Sequence, residues 1–347
     1  MTQAVQLASY GSTGQSLVFK NRIINGAMVI DQRNAGASVA FTSAAYTLDR
    51  WVGAVTTAAG STIQRSTTST TGFSNSSLIT VGTGASPAAG AVNRIYQVIE
   101  GFNIADLAWG TASAATVTLS FQVRSSVTGT FSGALYGAST IQSYPFTYTI
   151  STANTFEQKT VTIAGPTTGT WDSTNGTGVY VNFDLGSGTT FKGTANAWAT
   201  GTFIGVTGAT NLCATTGATF YITGVQFEKG STATSFDYRP HGTELALCQR
   251  YYMTVGVATY AGRGGSTTSA SFNMPTPVTM RSAPTITGTT SQIRRYDGTS
   301  ATGVASATYV NVGLYTNNIQ FGIANIASVT DNSMCFVDGL FNFNSEL

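Results

Sequence analysis

Short runs in which apolar and polar residues alternate with a period of two recur along this chain, and turn residues separate them. Val117-Thr118-Leu119-Ser120-Phe121-Gln122-Val123 is the clearest, and Thr160–Ile163 and Val179–Phe183 repeat the pattern. In an extended strand successive side chains point to opposite faces, so each run buries one face and wets the other. Gly165-Pro166, Asn175-Gly176 and Gly186-Ser187-Gly188 punctuate these runs, as turns between strands require. Strands at this spacing specify antiparallel sandwiches rather than a parallel sheet flanked by helices. The expected fold class is all-β.

Composition sharpens that expectation. Only 9% of the 347 residues are charged, well below the roughly 25% of an average soluble domain. Low charge could signal disorder, but disordered chains are poor in aromatic and β-branched residues. Here 19 Phe, 15 Tyr and 4 Trp argue for folded sheet, and 39 Gly for many turns. The surface is then clad mainly in Ser, Thr, Asn and Gly. Few ions need stripping of water when such a surface is covered, and a formal charge of +2 adds little repulsion between copies. Self-association is the expected consequence.

Residues 1–20, rich in Gly, Ser and Gln, read as an extended N-terminal arm for assembly. A strand-rich block runs over 21–240, opening with a strand over Arg22–Ile30. Two short helical segments are expected: a turn over Gly101–Leu107 with Asn103 as its cap, and a helix over Thr243–Gln249 with Thr243 as N-cap and Glu244 in the first turn. Arg239-Pro240-His241-Gly242 marks the boundary between domains. A second β domain fills 241–347, with strands at Arg250–Val255, Ser269–Asn273, Pro284–Ile286, Thr308–Val312, Ile319–Ile323 and Cys335–Phe343; its length suits one small sandwich. The N-terminus has neither the basic start nor the apolar run of a signal peptide. No stretch nears the roughly 18 consecutive apolar residues of a membrane span. Cys213, Cys248 and Cys335 lie far apart without metal-type spacing, so structural thiols are expected.

Several phrases resemble a widespread family of phage tail-fibre and virion appendage proteins. Near the N-terminus these are Asn21-Arg22-Ile23-Ile24-Asn25-Gly26-Ala27-Met28, Asp31-Gln32-Arg33 and Tyr46-Thr47-Leu48-Asp49-Arg50-Trp51. In mid-chain they are Val117 through Ser126, Lys159 through Gly165, and Thr168-Gly169-Thr170-Trp171. The most specific run is Ile222-Thr223-Gly224-Val225-Gln226-Phe227-Glu228-Lys229-Gly230, followed by Phe236, Arg239-Pro240 and Glu244 through Tyr252. A last phrase, Met280-Arg281-Ser282-Ala283-Pro284, lies beyond it. The resemblance covers most of residues 21–255. It implies a carbohydrate-binding-module-like jelly roll for 21–240, a homotrimer, and a place on the virion in a tail fibre, a head fibre or a capsid decoration.

Catalytic chemistry has little to draw on. His241 is the single histidine, so any Ser-His-Asp triad must use it, and no Gly-x-Ser-x-Gly elbow appears. A glycosidase needs two carboxylates flanking the scissile bond, whereas the 14 acids are scattered singly. Asp172-Ser173-Thr174-Asn175-Gly176 offers oxygens but not the six to eight ligands of a calcium ion, and it reads as a polar turn. Arg294-Arg295-Tyr296 is the one adjacent basic pair, too little for a nucleic-acid stripe. Neither enzyme activity, cofactor, metal, nucleic acid nor membrane insertion is expected.

Aromatic residues are the better lead. The C–H faces of a sugar ring pack on flat indoles while nearby amides bond its hydroxyls. Trp171, Asp172, Asn175, Tyr180 and Trp198 are the candidate glycan contacts. Trp51 reads as a core residue with an Asp49–Arg50 ion pair at its rim, and Trp109 as packing under the helical turn. The expected function is a structural virion protein, assembling with itself and with other tail or capsid proteins. The alternative is a receptor module for host-surface glycan, and a polysaccharide-degrading enzyme ranks last.

Overall fold

The computed structural model describes residues 19–41, 43–139, 141–266, 269–295, 300–301, 308–315, 318–324 and 334–347. Of the arm expected over 1–20, only Phe19 and Lys20 fall among them, and Tyr296 also lies outside.

The alternating runs build two antiparallel sheets. The first has six strands in the order Val39–Ala40, Thr62–Ser66, Ser76–Thr80, Thr219–Lys229, Val117–Ser125 and Glu157–Ile163. The second has seven, in the order Ala199–Thr200, Gln142–Ile150, Gly129–Gly137, Thr177–Asp184, Asn93–Glu100, Trp51–Val55 and Ala45–Tyr46. Neighbours far apart in sequence, such as Thr219–Lys229 between Ser76–Thr80 and Val117–Ser125, give the crossed-over strand order of a jelly-roll-like sandwich. Val117, Leu119, Phe121 and Val123 are at most 1% exposed and face the opposing sheet, where Phe121 meets Phe183 edge-on at 4.9 Å. Each such side chain stabilises the fold by roughly 1.5–3 kcal/mol through burial.

The C-terminal residues form a third antiparallel sheet of seven strands: Ser300–Ala301, Thr285–Arg295, Met334–Asn344, Tyr252–Ser266, Ser269–Pro275, Asn318–Ala324 and Thr308–Tyr315. Thr285–Arg295 and Thr308–Tyr315, near its opposite ends, touch one another. The sheet thus folds over its own core of Met253, Phe272, Phe321, Val337, Phe341 and Phe343.

Three local expectations are corrected. Arg22–Ile30 is irregular rather than a strand, because Asn25 and Met28 both take φ of 58°. The Asn25 side chain replaces strand pairing there: its amide nitrogen donates to the carbonyls of Ile30 and Asp49, and its oxygen accepts from the Ile30 N–H. The helix starts at His241, not Thr243, since Pro240 lacks an N–H that would need a partner and the helix can begin directly after it. Gly101–Asn103 and Ala105–Leu107 are separate 3-10 turns without side-chain caps. Asn103 instead offers its carbonyl to Arg22, whose guanidinium also pairs with Asp106 at 2.7 Å.

Trp51 is sealed in the core and its indole N–H donates to the Asn25 carbonyl at 3.0 Å. Its sequence neighbours do not pair with each other. Asp49 accepts from the backbone and side chain of Gln32. Arg50, buried at a φ of 69°, pairs with Glu346 at the far end of the chain and stacks on Tyr251 at 3.6 Å. Arg33 adds a second cation to Glu346 at 3.0 Å, and Tyr46 donates to the Leu347 carbonyl. Arg281 donates to the carbonyls of Ser345 and Glu346. These contacts tie the C-terminal residues to the first sandwich.

Removing one partner of a buried ion pair strands the other charge. Glu346→Gln should therefore destabilise the protein by about 3 kcal/mol, read as an earlier urea midpoint; an unchanged midpoint would contradict a structural role for the pair. Burial pushes the Cys213 thiol up to about 12 and raises that of Cys248 as well. At pH 8 the native protein should leave both unmodified by Ellman's reagent, with full reaction only after unfolding.

Candidate functional site

Three indoles meet at one end of the sandwich. Trp109 follows the Ala105–Leu107 turn and is buried, with its N–H donating to the Ala115 carbonyl at 2.9 Å. Trp171 sits on the connection between Glu157–Ile163 and Thr177–Asp184, and Trp198 immediately precedes Ala199–Thr200. Their rings stand nearly perpendicular, with centroids 4.9 Å apart for Trp109–Trp171, 5.7 Å for Trp109–Trp198 and 5.5 Å for Trp171–Trp198. Edge-to-face contacts of this kind fix ring orientation and add about 0.5–1.5 kcal/mol each. A glycine is required at 137, where a Cβ would stand 2.6 Å from the Trp171 ring.

The Trp171 and Trp198 N–H groups are spent on the carbonyls of Thr168 and Ala164. What these half-buried residues offer a ligand is therefore apolar ring surface. Beside Trp198 opens a cleft of about 200 Å³, lined also by Gln142, Pro166, Thr167, Thr168 and Thr200. No charged side chain lines it. The Gln142 amide nitrogen donates to the Thr168 hydroxyl at 3.2 Å, while its buried carbonyl oxygen has no partner. A buried acceptor left unmade costs about 1–3 kcal/mol, and this one is sealed from the cleft, so the polar groups that the cleft presents are the hydroxyls of Thr167, Thr168 and Thr200 and the Gln142 amide nitrogen. The cleft wall is held by backbone pairing: Gly201 N–H donates to the Ile141 carbonyl at 2.7 Å, and Ser143 bridges Gly201 and Phe203 through its hydroxyl. Tyr144 extends the aromatic surface, 5.4 Å from Trp198.

Of the five residues singled out from sequence, the fold brings together Trp171 and Trp198. Asp172 turns back on its own loop and accepts from the Thr174 N–H and hydroxyl. Asn175 is exposed, and its carbonyl accepts from Arg281 at 3.1 Å. Tyr180 stands elsewhere, on the outer face of the second sheet between Tyr96 at 5.7 Å and Tyr136 at 5.2 Å. Arg94 lies over Tyr96 at 4.1 Å and donates to Asn182. Burial lowers the pKa of Arg94 and raises that of Tyr96. Gln142 and Thr168 escaped the sequence reading, because nothing in their local pattern marks a polar residue that tertiary folding will set against an indole.

Several of the described carboxylates are committed to partners within the protein. Asp31 accepts from Asn34 and Gly36, Glu100 from Arg250 and Tyr251, and Asp184 from Ser132, Lys192 and the Gly186 and Ser187 N–H groups. Glu228 accepts from Thr234, and Glu244 from Asn25 and Arg239. His241 is exposed at the start of its helix. Among the described residues no cluster of three His, Cys, Asp or Glu could hold a metal ion, and no helix is long and apolar enough to cross a membrane.

No protein-family model matches the sequence, and a search of curated proteins finds no match. Solved structures that align with this chain include the enzymatically active domain of the bacteriophage CBA120 tailspike protein 4, at 15% identity and a TM-score of 0.31. That alignment covers 60% of this chain but 21% of the tailspike chain. The C-terminal family 22 carbohydrate-binding module of Clostridium thermocellum Xyn10B aligns at 16% identity over 54% of this chain and 91% of its own, with a TM-score of 0.27. The CBM22-1–CBM22-2 tandem of Paenibacillus barcinonensis Xyn10C aligns at 9% identity over 91% and 100% respectively, with a TM-score of 0.26. The chain itself is an all-β protein whose three large sheets are antiparallel.

Proposed function

We propose that this chain is a structural, non-catalytic component of a bacteriophage virion, in a tail fibre, head fibre or capsid decoration, that assembles as a homotrimer and holds a neutral glycan beside Trp198. The observation that carries the glycan reading is the charge-free cleft, in which the Trp198 indole shares the lining with Gln142, Thr167, Thr168 and Thr200. A sugar presents a C–H face to the indole and its hydroxyls to the threonine hydroxyls and the Gln142 amide nitrogen. An anionic sugar would find no cation there. The commitment of the buried carboxylates to protein partners supports binding without hydrolysis. The place on the virion is supported by the sequence resemblance over residues 21–255.

Self-assembly has support from the sheet edges. Unpaired edge strands recruit other chains unless they are short or charged. Among the described residues, four of the six edges of the three larger sheets are two-residue strands, and Glu157–Ile163 carries a Glu157–Lys159 pair at 2.6 Å. The sixth, Thr308–Tyr315, has eight residues and neither charge nor proline. Among the described residues it pairs with Asn318–Ala324 on one side, and its other edge is our candidate for a strand from another copy.

Trp198→Ala should weaken binding of a neutral oligosaccharide, selected on a glycan array, by more than about tenfold in calorimetry, and Gln142→Ala by about tenfold. Unchanged affinity in both would overturn the cleft as the site. Native mass spectrometry at micromolar concentration should show three copies. A monomer that also fails to bind phage particles would sink the assembly reading.

A further inference from the structure

A second aromatic cluster lies on the outer face of the first sheet. Phe73, Phe236 and Tyr238 pack with centroids 5.0 Å apart for Phe73–Phe236, 4.8 Å for Phe236–Tyr238 and 5.6 Å for Phe73–Tyr238. Two connections supply them, the loop before Ser76–Thr80 and the segment between Thr219–Lys229 and the helix His241–Gln249. Both are held in place. The Tyr238 hydroxyl donates to the Gly72 carbonyl at 2.5 Å. Phe73 lies against Gly224, whose φ of 60° and missing Cβ make room for the ring. Glu228 anchors the second connection through the N–H and hydroxyl of Thr234. Tyr238 is nonetheless 57% exposed, which burial in the fold does not explain.

Beside this ridge runs a groove of about 280 Å³, with the sheet as its floor. Gln158 and Gln122 face one another across neighbouring strands, and Ser120 lies two residues along. The Ser120, Gln122 and Gln158 side chains make no hydrogen bond to the described residues. No charged side chain lines the groove. Fixed aromatic rings along one wall and free amides and a hydroxyl on the floor form a pre-organised surface. It fits a ligand with apolar faces, many neutral hydroxyls and no charge.

We infer that this groove is a second saccharide site, taking a neutral oligosaccharide along the first sheet through Tyr238, Phe236, Gln122 and Gln158. It shares a ligand class with the proposed function but no residue with the Trp198 cleft, so the chain is bivalent for neutral glycan. Two weak sites on one molecule, multiplied by copies in an assembly, raise the strength of attachment to a surface without either site being tight.

Isothermal titration with neutral hexasaccharides (cellohexaose, maltohexaose, mannohexaose and xylohexaose) tests it on the full chain. Trp198→Ala should leave one binding event per chain, and adding Tyr238→Ala or Gln122→Ala should weaken that event at least tenfold. Tyr238→Phe should retain most of it, and circular dichroism should show each variant folded. If Trp198→Ala alone abolishes binding and Tyr238→Ala does nothing, the groove is overturned and the cleft stands. If Tyr238→Ala alone abolishes it, the groove stands and the cleft falls. A change in oligomeric mass on Tyr238→Ala, without a change in binding, would make the ridge a contact between copies and overturn the saccharide site, as would the failure of every hexasaccharide to bind.

Discussion

A β-strand shows one face to the core and the other to its surroundings, and nearly every feature of this protein follows from that constraint. The inner faces of the two sheets carry Phe121, Phe131, Phe183 and Phe220, which close on one another between the sheets. With the apolar side chains drawn inward, the outer faces are left to Ser, Thr, Gln, Asn and a few aromatics. A low charge content turns those faces into neutral surfaces, which water binds less strongly than it binds ions. The glycan binding and self-association proposed above would both draw on such a surface.

Charge is concentrated where it is buried. Arg50 and Glu346 are almost 300 residues apart in sequence and meet at the junction between the first sandwich and the C-terminal sheet. Burial opposes the charge on Arg50, yet Glu346 with the neighbouring phenols raises its pKa. Glu100 does similar work for Arg250 and Tyr251, and Glu244 for Asn25 and Arg239. Such pairs contribute less net stability than the apolar core, but each fixes one arrangement of loops, because the alternatives leave a charge stranded. The rigidity of the loops bearing Trp198 and Tyr238 comes from smaller devices of the same type, backbone carbonyls and hydroxyls that hold the chain on either side of an aromatic ring.

The strands were legible in the sequence because their signal is local. Val117–Val123, Thr160–Ile163 and Val179–Phe183 all lie within strands, since a period of two over a few residues already states which face turns to the core, although Thr118, Ser120 and Asn182 on the other face are buried as well. Arg22–Ile30 misled for the same reason: its apolar content is strand-like, but Asn25 finds hydrogen-bond partners in Ile30 and Asp49 that are better served by a turn. Trp171 and Trp198 could be picked out by residue type. Tyr180 could not be separated from them, as only the strand order places it beside Tyr96 and Tyr136 instead.

The sequence by itself determined the all-β class, the approximate strands and a surface nearly free of charge, because these are properties of composition and of short-range periodicity. Tertiary structure alone decided which aromatic residues come together, that Gln142 would line a cleft with Trp198, and that Phe73 would join Phe236 and Tyr238. Those pairings join loops separated by tens to hundreds of residues. They are set by the order of strands in a sheet, which is fixed by the packing of the whole core and leaves no mark on any one stretch of chain.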